Sequence, residues 1–244
     1  MKKTYYFISD IHLGLYPPRK EREREKLLTG FLDYAVAKCD ELFIVGDLFD
    51  YWFEYKRVVQ KGFIRTFSAL VKFREAGKKI HYIIGNHDFL HRDFFESELG
   101  VVLYRDPVDI SLNGKRFFIG HGDGLVKNDL GYKILKKILR NKALQGIYSM
   151  VHPDLGIRIA SKTSQTSRNY TSNKHYGQID GLFEAAKLKI DAGFDFVIFG
   201  HSHVRAFEKY SNGFYINLGT WLDKPCFGKY TDSFEIIEWE SDGE

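Results

Sequence analysis

Cysteine is scarce in this chain. The 244 residues hold two, Cys39 and Cys226, with none of the paired spacing of a disulfide framework. Reduced thiols and a cytoplasmic address are the expectation. Long apolar runs are missing too: nothing approaches the roughly 18 residues that a spanning helix needs. The opening MKKTYYFISDIHLG has two lysines, but its short apolar run soon meets Asp10 and His12. That is the pattern of a strand rather than of a signal peptide. Internal repeats and low-complexity segments are also lacking. What remains is one large domain, or a domain carrying an insertion.

Hydrophobic residues at 44% and charged residues at 28% are those of a soluble globular protein. The net charge of +4 is unevenly spread. Between Val126 and His175 stand ten lysines and arginines against Asp129 and Asp154, a local +8, so the other residues sum to −4. Such a run is either a solvated face or a seat for an anionic substrate or surface.

Short apolar runs recur along the chain: TYYFIS, ELFIVG, KIHYIIG, KRFFIG, FDFVIFG and GFYINLG. Each has strand length, is rich in aromatic and branched residues, and is bounded by turn signals. Helical stretches lie between them, at Glu21 to Cys39, at Val59 to Ala76 closing on Gly77, and at Leu182 to Ala192 closing on Gly193. The alternation predicts an α/β architecture, with mixed pairing where the later links shorten. The middle segment departs from it. From Asp129, Leu130, Ile134, Leu135, Ile138 and Leu139 share a helical face with lysines opposite, and a break at Pro153 precedes a Ser/Thr/Lys-rich run. The whole is expected to be a single domain, 1–244, with a helical, lid-like insertion at about 126–178.

The chemistry collects where the apolar runs end. SDIHLG offers Asp10 and His12, GDLFDYW offers Asp47, GNHDF offers Asn86 and His87, GHGDG offers His121, and GHSHV offers His201 and His203. The carboxyl edge of an open α/β sheet is where ligands bind. One polar strand end is an ordinary turn, but five are not. Carboxylate, amide and imidazole together suit Mn, Fe or Zn, and no thiolate is offered for a structural zinc site. Seven ligand groups are too many for one ion with an open position and suitable for two divalent ions. Manganese is the favoured metal, and Asp47 the natural bridge.

DIH, GDLFD, GNHD, GHGD and GHSH, in that order, resemble the calcineurin-like metallophosphoesterase superfamily over Ser9 to His203. The resemblance implies two mixed β-sheets packed as a sandwich and flanked by helices. It implies one metal on Asp10, His12, Asp47 and His203, and another on Asp47, Asn86, His121 and His201. His87 would then be an unliganded catalytic group that steadies the phosphoryl group or protonates the leaving oxygen, with Asp88 as an orienting partner. His81, His91, His152 and His175 are expected to be mostly structural or on the surface, His175 having some claim to touch substrate.

The Trp-bearing GDLFDYWFEY, GNHDFL, HGDGL followed by Asp129, and the basic insertion are similar to the UDP-2,3-diacylglucosamine diphosphatase family of lipid A synthesis. That similarity implies cleavage of an acylated UDP-sugar to UMP and an acylated sugar 1-phosphate. Asp129, Ser167, Arg168, Thr171 and Lys174 are the substrate-contact candidates. Two departures stand out: His87 replaces the arginine of the best-known members, and Thr171 replaces an asparagine. The cationic, amphipathic insertion suits a lipid substrate and peripheral contact with the cytoplasmic face of the inner membrane. A soluble nucleotide pyrophosphatase or phosphodiesterase stays open, as does a non-catalytic metal-binding module. Nucleic acid is not an expected partner, because the basic residues form no stripe with stacking platforms. The oligomeric state is not legible.

Overall fold

The computed structural model describes residues 2–125, 141–160 and 181–240. The apolar runs of the first third form β1 (Tyr5–Ile8), β2 (Glu41–Val45) and β3 (Lys79–Ile83), with helices α1 (Pro18–Lys38) and α2 (Ile64–Glu75) between them. The three strands pair in parallel, Phe7 beside Phe43 and Phe43 beside His81. After the short α3 (Phe94–Ser97), β4 (Val102–Tyr104) extends that sheet in parallel beside β3. The hairpin β5 (Val108–Leu112) and β6 (Lys115–Ile119) begins a second sheet. Helices α4 (Lys142–Tyr148) and α5 (Gly181–Asp191) follow, then β7 (Phe196–Phe199), β8 (Arg205–Tyr210), β9 (Gly213–Leu218), β10 (Cys226–Tyr230) and β11 (Phe234–Glu238). The first sheet runs β11-β10-β1-β2-β3-β4 and the second β5-β6-β7-β9-β8. Antiparallel pairs at one margin of the first sheet and at both margins of the second, around parallel centres, make both sheets mixed, as expected.

Alternation along each strand decides the layers. Phe7, Phe43 and Val45 of the first sheet meet Phe117, Ile119, Ile198 and Ile216 of the second in a buried aromatic-aliphatic core. Ile8, Leu42 and Ile44 face outward onto Leu28 and Phe31 of α1 and Leu70 and Phe73 of α2. On the far side Val197 and Phe199 pack on Leu182, Ala186 and Ile190 of α5. Each fully buried side chain of this size contributes about 1.5–3 kcal/mol, and together they fix the sandwich.

Two helix starts differ from expectation. Helix α1 opens three residues earlier, because Pro18 sits at its first positions, where no amide hydrogen is needed. Helix α2 opens five residues later, and its start is set from another element. Buried Glu25 of α1 accepts from the Thr66 amide at 3.2 Å and the Thr66 hydroxyl at 3.3 Å, standing in for a local cap. Within the expected insertion, residues 141–160 are described. The Asn141 side chain caps α4, and Pro153 opens a second helical run over 153–160. The Tyr148 hydroxyl donates to the Gly156 carbonyl at 2.6 Å and lies 3.3 Å from the Tyr51 hydroxyl, joining this piece to the loop after β2. The expected apolar face at Leu130, Ile134, Leu135, Ile138 and Leu139 falls outside the described residues.

Candidate metal centre

The parallel ladders end at Ile44, Ile83 and Ile198, and the chain leaves the sheets abruptly there. The turn is made by the polar residues themselves. Asp10, His12, Asp47, His201 and His203 all have left-handed backbones, with φ between 51° and 66°. The other non-glycine residues of that kind among those described are Asn113 and Ser211, both in hairpin turns. Such conformations cost on the order of 1–3 kcal/mol each and persist where the surroundings over-determine them. Here the His12 amide donates to the Asp47 carbonyl at 3.0 Å, and the Gly200 amide to the His121 carbonyl at 3.0 Å. The His201 amide donates to the Asp10 carboxylate at 3.1 Å, and the His87 amide to Asp47 Oδ1 at 2.9 Å.

Two glycines matter for space. A Cβ on Gly85 would overlap Asp47 Oδ1, and one on Gly200 would overlap the Ser9 hydroxyl and Asp10 Oδ2. The carboxylates lie against bare backbone.

Inside this ring, acceptors face acceptors. His121 Nδ1 donates to the Val45 carbonyl at 3.0 Å, so in the neutral ring the lone pair is on Nε2. That atom is 3.2 Å from Asp47 Oδ2 and 2.9 Å from Asn86 Oδ1. His201 Nδ1 is 2.8 Å from the same amide oxygen. On the other side His12 Nε2 and His203 Nε2 are 3.1 Å apart, and His203 Nε2 is 3.3 Å from Asp10 Oδ1. Asp47 Oδ2 is also 3.8 Å from His12 Nε2, so one carboxylate oxygen reaches both clusters.

Electrostatics report the same demand for positive charge. Burial alone would raise the Asp10 carboxyl, yet His12 and His203 hold it well below its ordinary range. Burial opposes a charged His121, but Asp47 pulls it well above the usual imidazole value. Its charge in turn helps burial to push His201 down to about 4. Protons are a poor answer to so many converging lone pairs. The donor set of two carboxylates, an amide oxygen and imidazoles, with no thiolate, fits divalent cations.

The family model for calcineurin-like phosphoesterases matches residues 3–205. This chain belongs to that family. Among its relatives is a UDP-2,3-diacylglucosamine hydrolase of Neisseria meningitidis, 31% identical over 99% of this chain and 96% of its own. Enzymes of the same name from Haemophilus ducreyi (30% identical, covering 89% and 92%) and Porphyromonas gingivalis (29%, covering 84% of each) are similar. Membership makes this protein a metal-dependent phosphoesterase, and the donor atoms described above could hold metal ions.

Within the phosphoesterase site, all seven expected ligand residues converge. Three groups have donor atoms within 4.8 Å of one another: Asp10 with His12 and His203, Asp10 with Asp47 and His121, and His12 with Asp47 and His87. Both carboxylates are shared between groups. His87 Nδ1 donates to the Asp50 carbonyl at 3.0 Å, which leaves Nε2 as the basic atom of the ring. Burial pushes its pKa down to about 4 although Asp47 pulls the other way, so the ring is neutral at neutral pH. Asp88 touches no expected ligand side chain. It accepts from the Leu48 and Gly85 amides, each at 2.8 Å, and from the Tyr82 hydroxyl. It thereby ties together the two loops that present Asp47 and Asn86.

The expected substrate residues Asp129, Ser167, Arg168, Thr171 and Lys174 lie outside the described residues, as does His175. His81 and His91 are buried, whereas His152 is exposed. Sequence reasoning passed over three residues of the site. Asp50 Oδ1 is 3.5 Å from His12 Nδ1. Buried Asp123 favours the charged forms of His121 and His201. Asn217, with no exposure, donates to the Gly200 carbonyl at 2.7 Å and the Ser202 hydroxyl at 2.9 Å. The first two were visible inside GDLFD and GHGDG. Asn217 had no local signal.

Proposed function

We propose that this phosphoesterase hydrolyses the pyrophosphate of UDP-2,3-diacylglucosamine, releasing UMP and 2,3-diacylglucosamine 1-phosphate. The observation that carries the substrate is the similarity, end to end, to relatives named for that activity, one of them matched over 99% of this chain. Asp10, His12, Asp47 and His203 would hold one divalent ion, and Asp47, Asn86, His121 and His201 the other, with manganese the favoured metal. Such ions supply Lewis acidity that neutralises phosphoryl oxygens and makes water a nucleophile near neutral pH.

The chain's own residues orient and shuttle. The left-handed ligand residues and the bare backbone at Gly85 and Gly200 hold the carboxylates at fixed positions, so little reorganisation is needed as charge develops. His87 is fixed by its Nδ1 bond to the Asp50 carbonyl. Entering neutral, it must take up a proton as the anionic substrate arrives before Nε2 can give that proton to the leaving oxygen. The described part of the insertion exposes Leu144, Ile147, Met150, Leu155 and Ile159. Apolar surface of this kind supports the acyl-chain half of the proposal, and with it a peripheral position on the cytoplasmic face of the inner membrane.

Turnover of UDP-2,3-diacylglucosamine set against unacylated UDP-N-acetylglucosamine tests the substrate. The acylated compound should have a kcat/KM at least about tenfold higher, a difference of ~1.4 kcal/mol. Equal values would reassign the protein to general nucleotide pyrophosphate hydrolysis.

A further inference from the structure

We propose that Arg24 is a positioning residue for the metal centre: from helix α1 it clamps the backbone that aims His12. Resting on the metal-centre reading above, this adds a residue that lies outside all five motifs. Three successive carbonyls, of Asp10, Ile11 and His12, turn away from the β-ladder at the point where β1 ends. The Asp10 carbonyl is met by the Thr220 hydroxyl at 3.0 Å and the Trp221 amide at 3.1 Å. The other two are met by one side chain. Arg24 Nη1 donates to the His12 carbonyl at 2.9 Å, and Nη2 donates to the Ile11 carbonyl.

The amide side of the same segment is fixed from the loop after β2, with the His12 amide on the Asp47 carbonyl at 3.0 Å and the Leu13 amide on the Leu48 carbonyl at 2.9 Å. Arg24 therefore supplies the opposite jaw of a clamp on His12, whose φ of 51° is a left-handed conformation that costs a non-glycine residue free energy. A planar guanidinium can serve two adjacent carbonyls at once, whereas a lysine ammonium is a single point of charge on a flexible stem. The guanidinium is itself held. Its side chain is 12% exposed, Glu21 Oε1 is 3.7 Å away, and the Tyr16 ring centre is 5.1 Å from its carbon.

A buried arginine that only ties α1 to the sheet would stabilise the fold without favouring one metal. The discriminating measurement is metal affinity of the full chain. Apo wild type, Arg24→Lys, Arg24→Met and a core control, Phe73→Leu on α2, are titrated with Mn2+ by calorimetry, and unfolding stability is measured in parallel. The wild type should show two classes of site. Arg24→Lys should weaken one class by about 10–100-fold, the range for partners that orient metal ligands. The second class should be essentially unchanged, and Phe73→Leu should spare both. Should Arg24→Met fail to fold, Arg24→Lys alone decides. Retention of both classes in Arg24→Lys, or weakening of both in step with lost stability, would overturn the role of Arg24 and leave the hydrolase proposal standing. Absence of Mn2+ uptake by the wild type would overturn the metal centre, and this role with it.

Discussion

The two ends of the strands use the same kinds of side chain to opposite purposes. In the amino-terminal half of β2 and β3, Glu41 and His81 are buried beside each other, much as Asp47 and His121 are in the carboxyl-terminal half, just beyond the ends of β2 and β6. Around Glu41 donors meet acceptors. Lys3 Nζ donates to Oε1 at 2.7 Å, His81 Nε2 donates to Oε2 at 2.9 Å, and the Tyr104 hydroxyl donates to His81 Nδ1 at 3.0 Å. The His81 ring also stacks on Phe43, with 4.4 Å between centres. Around Asp47 the imidazole and amide atoms are turned the other way, so that lone pairs meet lone pairs. A buried histidine and carboxylate do not by themselves mark a functional site. What marks it is a cluster whose donors and acceptors fail to match, held there by strained backbone.

The largest effect should come from the point where the mismatched cluster is joined. Asp47→Ala removes the carboxylate that reaches both sides, and hydrolysis should fall below detection. Metal analysis should show the bound divalent ions lost together. If one equivalent stayed at wild-type affinity, Asp47 would not be the bridge, and the carboxyl-terminal cluster would be two independent sites.

The next effect sharpens the comparison within that half, between atoms that bind and atoms that react. His87→Ala should keep near-normal metal content while kcat falls by about 10²–10⁴-fold, the range for a positioned acid or base. Loss of a metal instead would move His87 into the ligand set, where its proximity to His12 and Asp47 already makes it eligible.

The smallest effect should lie in the matched half, and it should touch stability alone. His81→Phe keeps the stacking but removes a partner from Glu41 and Tyr104, at a cost of about 1–3 kcal/mol. The kcat per folded molecule should stay at the wild-type value, and a large fall would break the comparison. The pH dependence carries a sign. Burial holds His81 below its ordinary pKa of 6.5 despite Glu41. A depressed folded pKa means that the contribution is complete above pH 6.5 and is lost as pH falls below it. Unfolding midpoints of the wild type should therefore drop on acidification from neutral pH, and His81→Phe should remove part of that slope.

Legibility in the sequence followed burial. The six apolar runs are all strands, and five of their ends carry the expected ligand residues. Strands exposed on one face were passed over. Val108–Leu112 alternates polar with apolar, and Arg205–Tyr210 and Phe234–Glu238 mix the two without an unbroken apolar run, over five or six residues. So short a mixed stretch looks like loop until a partner strand supplies its hydrogen bonds.

The sequence by itself determined the α/β alternation, the family and the set of seven candidate ligand residues, because each follows from local chemistry at the end of an apolar run. Only the tertiary structure decided how those residues meet. It made five of the expected ligand residues, rather than their glycines alone, adopt left-handed backbones. It set Asp88 to tie together the two loops that present Asp47 and Asn86, and it recruited Arg24 and Asn217 from distant elements. A carbonyl that leaves a strand must find a donor, and which donor is nearest depends on packing between segments far apart in the chain.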